Sequence, residues 1–104
     1  MSALVNAVRG EASLVLDGIV HKFRPTFAAL VAAEAEIGPL FVQVEHAAAG
    51  KIKLGDLVAL LWHCLAPGAA PLTRESFAEA IVQAGLSAVT PVLKTLLTQI
   101  LAGK

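Results

Sequence analysis

Any chemistry in this chain of 104 residues would have to come from a short roster: the three histidines His21, His46 and His63, the single Cys64, and a few spaced carboxylates such as Glu34 and Glu36. A zinc site on a helix wants ligands one turn apart, as in His-x-x-x-His, and no two histidines here have that spacing. Glu45-His46 and His63-Cys64 are adjacent pairs, and adjacent helical side chains diverge by about 100°. A thiol nucleophile at Cys64 would need a base within hydrogen-bond reach and a third group to orient it. Its helical neighbour His63 is badly placed for that, so Cys64 reads as a buried structural thiol. Glu34 and Glu36, two positions apart, do not share a helix face and read as solvated surface, not as an acid–base pair. The glycines form neither G-x-G-x-x-G nor a phosphate-cradling loop. No catalytic residue, cofactor site or metal site is therefore expected. His21 is expected at the boundary between a hairpin and helices, and His63 in or near the core.

The elements that would carry these residues begin with a hairpin. Asp17-Gly18 stands between Glu-Ala-Ser-Leu-Val-Leu and Ile-Val-His-Lys-Phe-Arg, and Asp-Gly between β-prone runs is a strong hairpin signal. A two-residue turn sets the register: Leu16 opposite Ile19, Val15 opposite Val20, Leu14 opposite His21, Ala12 opposite Phe23, Glu11 opposite Arg24. Side chains alternate along a strand. One face then carries Ala12, Leu14, Leu16, Ile19, His21 and Phe23, and the other Glu11, Ser13, Val15, Val20, Lys22 and Arg24. A lone hairpin is marginal in water, so the apolar face must pack on helices. Residues 1–8 are weakly patterned, either a frayed tail or a third strand.

Pro25 ends the second strand and Thr26 suits an N-cap. A helix is predicted over Phe27–Ile37, with Phe27, Leu30, Val31 and Ile37 inward, stopped by Gly38. Pro39 starts a second helix, Leu40 to about Ala49, closed by Gly50. The third is the clearest, because Leu54, Leu57, Val58, Leu61, Trp62 and Leu65 recur at helical spacing. Its other face offers Gly55, Ala59, Leu60, His63 and Cys64. A helix apolar all round is either central to a bundle or part of an interface. Trp62 is then core or, if it protrudes, a binding anchor. Ala66–Leu72 is a proline-rich loop. Thr73 caps a fourth helix, Arg74 to about Ala84, with Phe77, Ala80, Ile81 and Ala84 inward. Gly85 stops it, and a last helix starts between Ser87 and Pro91, with Val89, Val92, Leu93, Leu96, Leu97, Ile100 and Leu101 on its apolar side. The fold class expected is mainly α with an N-terminal β-hairpin (α+β): one domain over 1–104, a hairpin at 11–24, and four to five helices over 26–102.

Composition narrows the function classes. The chain is 57% hydrophobic and 15% charged, where a typical domain has about 25% charged residues; this excludes a disordered chain. The longest uncharged run, Leu57 to Thr73, is broken by Pro67, Gly68 and Pro71 and is too short as a helix to span a membrane. With no signal-peptide pattern at the N-terminus, a soluble, intracellular protein is expected, with no membrane partner. Eight basic and eight acidic residues balance to zero net charge. A nucleic-acid adaptor, the alternative function, would require Lys22, Arg24, Lys51 and Lys53 to meet on one face; no such stripe is visible, and no nucleic-acid partner is expected. One cysteine excludes an intrachain disulfide and fits a reducing compartment. What remains is surplus apolar surface. Protein contact is expected through Leu60, Trp62 and His63 on the third helix or through Val15 and Val20 on the hairpin, with the hairpin's backbone edges as further donors and acceptors.

One ordering of features goes further. Arg9-Gly10-Glu11, an alternating strand, a tight turn, a strand ending in Arg24 and Thr26 to Glu34 opening a helix are followed by a short helix ending at Gly50. The Lys53-Leu54-Gly55-Asp56-Leu57-Val58-Ala59-Leu60-Leu61 helix start and a final Gly85-to-Leu101 helix complete the order. Together they resemble the gene transfer agent tail protein family, described as phage tail tube-like and grouped with tail assembly chaperones. Two features depart from that pattern: Gly55, where a better helix former is expected, and the low charge of the helices. The resemblance implies a non-enzymatic role in building a phage-like tail, with the protein cytoplasmic during assembly and either leaving afterwards or staying within the particle. It implies tape measure or tail tube proteins as partners, possible homo-oligomers, and no cofactor. A chaperone of this kind would hold apolar helical segments of the tape measure until the tube polymerises around them.

Overall fold

The computed structural model describes residues 12–66 and 72–102. The tail-or-strand reading of residues 1–8, the Glu11–Arg24 pair and most of the Ala66–Leu72 loop lie outside them.

The hairpin forms as its turn demands. Strands β1 (Ala12–Leu16) and β2 (Ile19–Phe23) pair antiparallel, with Leu16 opposite Ile19, Leu14 opposite His21 and Ala12 opposite Phe23. Asp17 and Gly18 both adopt positive φ, 52° and 75°, as a type I′ turn requires. Leu14, Leu16 and Phe23 are buried and Val15, Val20 and Lys22 exposed, so the alternation puts the expected face inward. Ile19 is the exception: beside the turn it projects past the helices and is half exposed.

Five helices follow. α1 (Phe27–Ile37) is capped by Thr26, whose hydroxyl accepts the Ala29 N–H at 3.1 Å. At Gly38 the chain bends by 78° into α2 (Leu40–Ala48). Gln43, buried in α2, donates its side-chain N–H to the Ile37 carbonyl at 2.8 Å and closes that corner. α3 (Leu54–Cys64) is central. α4 (Arg74–Ala84) opens with a capping box between Thr73 and Ser76. Gly85, at φ 91°, turns the chain by 112° into α5 (Leu86–Ala102). Among the described residues no single helix is long and apolar enough to cross a membrane.

The core runs from Leu14, Leu16 and Phe23 of the hairpin through Leu57, Val58, Leu60 and Leu61 of α3 to Phe77 and Ile81 of α4 and Val89, Val92, Leu93, Leu96 and Leu97 of α5. Aromatic rings link the layers. Phe23 lies 6.2 Å from Phe77, centroid to centroid, and Phe77 5.5 Å from Trp62.

Several inward assignments are corrected. Phe27 and Val31 of α1 point outward. The helix meets its neighbours through Ala29 and Ala33, both buried. Phe27 and Val31 each stand about 200° round the helix from Ala29. Small side chains let α1 lie close to α3, and the larger ones are turned to the surface. Leu54 at the start of α3 and Leu101 at the end of α5 are likewise exposed, because each lies beyond the turns its neighbours cover. Leu65 does not continue α3. It turns extended and pairs antiparallel with Phe23, with Arg24 N–H on the Cys64 carbonyl at 2.7 Å and Ala66 N–H on the Lys22 carbonyl at 2.8 Å. α5 starts at Leu86, before Ser87, because the Gly85 carbonyl accepts from Ala88 and Val89 at once. Pro91 is thus inside the helix.

Candidate interaction surfaces

α3 is buried on every side along its middle: Leu57, Val58, Ala59, Leu60, Leu61 and Cys64 are all enclosed. This resolves the open choice about the helix in favour of the centre of the bundle. Leu60, expected among the contact residues, has no solvent exposure and presents no surface, because α1 and α4 pack against α3 and the core closes round it. Trp62 is only half-buried, but its ring packs on Phe77 and completes the core edge. Val15 and Val20, directly opposed on the outer hairpin face, are exposed as expected.

His63 enters a cluster that nothing in the sequence suggested. Its Nε2 lies 2.9 Å from Glu36 Oε1. Arg74 approaches the same carboxylate with both terminal nitrogens, Nη1 donating to Oε1 at 2.9 Å and Nη2 to Oε2. Such a bidentate, charge-assisted pair is directional, and here it joins α1, α3 and α4 at one point. Hydrogen bonds from Arg74 first and His63 second hold the Glu36 carboxyl at about 2, well below its ordinary 4.5. The Arg74 guanidinium is pushed up in turn by Glu36. The three residues are separated by 27 and 38 positions, so no local spacing could reveal them, and Glu36 is more than the solvated residue expected. Cys64, next in sequence, points into the core, and burial pushes its thiol up to about 12. At neutral pH it is not a thiolate. The cluster therefore has a carboxylate neutralised by arginine and no activated nucleophile beside it. Among the described residues no group of three or more His, Cys, Asp or Glu side chains could hold a metal ion.

Beside this cluster an open groove of about 630 Å³ runs between α3 and α4, lined by Leu54, Gly55, Val58, Ala78 and Val82, with Glu36, Arg74 and Glu75 at its polar rim. Leu54 and Val82 are exposed on its walls. A Cβ placed on Gly55 would meet nothing within 4 Å. A second, smaller hollow of about 160 Å³ lies between α2 and α5, lined by Glu34, Leu40, Phe41, Val44, Ile100 and Leu101. The four cations of the nucleic-acid alternative do not converge. Lys22 and Arg24 sit where β2 bonds to the C-terminal end of α3, while Lys51 and Lys53 precede its N-terminus. The 11 residues of α3 hold the pairs about 16 Å apart along its axis.

The structure is thus a helical α+β domain with two hollows bordered by apolar side chains and two exposed phenylalanines, Phe27 and Phe41. Residues 9–103 match the family described as phage tail tube protein, GTA-gp10, and the chain belongs to that family of structural tail proteins. No curated protein and no solved structure matches it.

Proposed function

We propose that this protein works in the cytoplasm during assembly of a phage-like tail, as a non-enzymatic assembly chaperone or tail component that binds an apolar helical segment of another tail protein. The tape measure is the best-suited partner, since an extended tail ruler exposes apolar helix before the tube encloses it. The observation that carries this reading is the groove between α3 and α4. Its walls are apolar, its rim is polar, and it lies open between two helices, a form that suits an amphipathic helix docking by i, i+3, i+4 and i+7 anchors.

Gly55 supports the same reading. A glycine in a helix costs up to about 1 kcal/mol relative to alanine. No close approach within the protein requires it, since a Cβ there would enter open space. It keeps the groove floor low.

The test is co-expression with a tagged tape measure protein of the same tail. The wild-type chain is expected to be retained. Gly55→Leu and Val82→Glu, which act in open space and on an exposed wall, are expected to lose retention with no loss of thermal stability, Gly55→Leu melting somewhat higher because the helix propensity that the glycine forgoes is regained. Equal retention of wild type and both variants would refute the groove as the contact.

A further inference from the structure

The exposed face of α1, whose residues do not line the groove just described, has a geometry of its own. Phe27 is 85% exposed and Phe41 76%, the two most exposed large apolar side chains among those described; Val31 is 48% exposed and Leu101 58%. Phe27, Val31 and Glu34 follow one another at i, i+4 and i+7, which places them on one face of the helix. Glu34 in turn lines the 160 Å³ hollow with Leu40, Phe41, Val44, Ile100 and Leu101. A single continuous surface therefore carries a projecting phenyl ring at one end and a hollow at the other. A cavity of about 150 Å³ holds one benzene ring. Knob and hollow are separated by seven residues of helix, about 10 Å, and Val31 lies near the midpoint.

We propose that this face is an interface between two copies of the chain, related by a two-fold axis near Val31. With two α1 helices antiparallel about an axis at Val31, residue 27 of each copy falls opposite residue 35 of the other, one position from Glu34 at the hollow. Each Phe27 enters the other copy's hollow, and the two Val31 side chains meet on the axis. This is the self-complementarity an isologous dimer needs: one contact made twice.

Three observations favour a second copy over a different partner. The surface supplies both halves of the fit. The net charge is zero, so copies do not repel. The one charge on the face, the Glu34 carboxylate, already accepts the Leu40 N–H at 2.9 Å within its own chain. The area is also sufficient. A phenylalanine can bury about 150–250 Å², so the two rings with Val31 and Leu101 withdraw about 500 Å² per copy, and about 1,000 Å² in the pair meets the lower bound for a specific interface. An interface at the low end of that range belongs with weak, reversible complexes, so micromolar to millimolar is the concentration range to sample, the dissociation constant being read from it and not from the area.

Sedimentation velocity across that concentration range tests the proposal, independently of any tape measure binding. The wild-type mass is expected to rise with concentration from 10.7 kDa towards twice that value. Phe27→Ser, at a side chain that makes little contact within its own chain, is expected to weaken association at least about tenfold with thermal unfolding of the monomer unchanged. Val31→Cys is expected to give a disulfide-linked dimer on mild oxidation, since paired helices bring residues on the axis within disulfide range and Cys64 is buried. Val82→Cys in the groove and Val20→Cys on the hairpin are expected to stay monomeric under the same oxidation. A chain that remains monomeric throughout, a dimer indifferent to Phe27→Ser, or cross-linking through position 82 or 20 in place of 31 would each overturn the proposal.

Discussion

Truncating Phe23 to alanine tests whether the hairpin and the helices form one cooperative unit. Phe23 is fully buried, its ring lies 6.2 Å from that of Phe77, and its backbone faces Leu65 in the bridge that stitches β2 to the end of α3. Phe→Ala in a core costs about 3–5 kcal/mol, the transfer term plus the cavity left behind. A domain of this size has only about 5–15 kcal/mol of stability in all, and each kcal/mol shifts the midpoint by about 4–8 °C. The variant is therefore expected to unfold roughly 12–40 °C below wild type. Far-ultraviolet circular dichroism reports the helices, and fluorescence of Trp62, whose ring is 5.5 Å from Phe77, reports the aromatic centre. Both should move together if unfolding is two-state. Val20→Ala on the exposed face of the same strand provides the comparison, at about 0.5 kcal/mol or less. If Phe23→Ala cost no more than Val20→Ala, or if the two probes separated in the wild-type chain, the hairpin would be a loosely attached flap and the packing argument would fail.

Leu60→Ala is expected to cost about 2–5 kcal/mol in urea unfolding and Leu54→Ala on the same helix less than about 1 kcal/mol, because the first is enclosed and the second stands on the groove wall; equal costs would contradict the central placement of α3. Gly18→Val forces a β-branched residue to φ 75° and should lower stability by about 1–2 kcal/mol, with no clash contributing, since a Cβ there meets nothing within 4 Å; an unchanged melting temperature would show that the turn is built differently. Acid titration should expose the Glu36 cluster. Its carboxyl is depressed from 4.5 to about 2, so the stabilisation is complete above the ordinary value and is lost as pH falls from about 4.5 to about 2. Arg74→Gln should flatten the stability profile in that window, and an identical acid limb in both proteins would remove Glu36–Arg74 as a working pair.

Local signals in the chain had local consequences. Asp17-Gly18, Thr26, Gly38-Pro39, Thr73 and Gly85 are punctuation whose effect needs only neighbouring backbone, and each stands where a turn, cap or stop was expected. Helical periodicity located all five helices, the buried side of α4 and most of that of α5, because burial there follows each helix's own stripe; on α3 it offered one stripe where the middle of the helix is buried all round. On α1 it misled, since hydrophobicity alone ranks Phe27 and Val31 above Ala29 and Ala33. Which stripe faces inward was decided by how closely α3 could approach, a property of two helices together.

The candidate surfaces divide in the same way. The pairing of Val15 with Val20, and their exposure, follow from a two-residue turn and the alternation of a strand, so residues 12–23 by themselves determine them. The burial of Leu60 depends on α1 and α4, from either side in the chain, packing against α3. The Glu36–His63–Arg74 cluster joins three helices whose contributing residues lie 27 and 38 positions apart. The groove beside it exists only between α3 and α4, and the hollow beside Phe41 only where α2 meets α5. The sequence by itself determined the elements, the hairpin register and the family, because these rest on short-range backbone preferences and their order along the chain. Only the tertiary structure decided which apolar side chains are consumed by the core and which are left on the surface, because that depends on distances between segments that no spacing along one segment encodes.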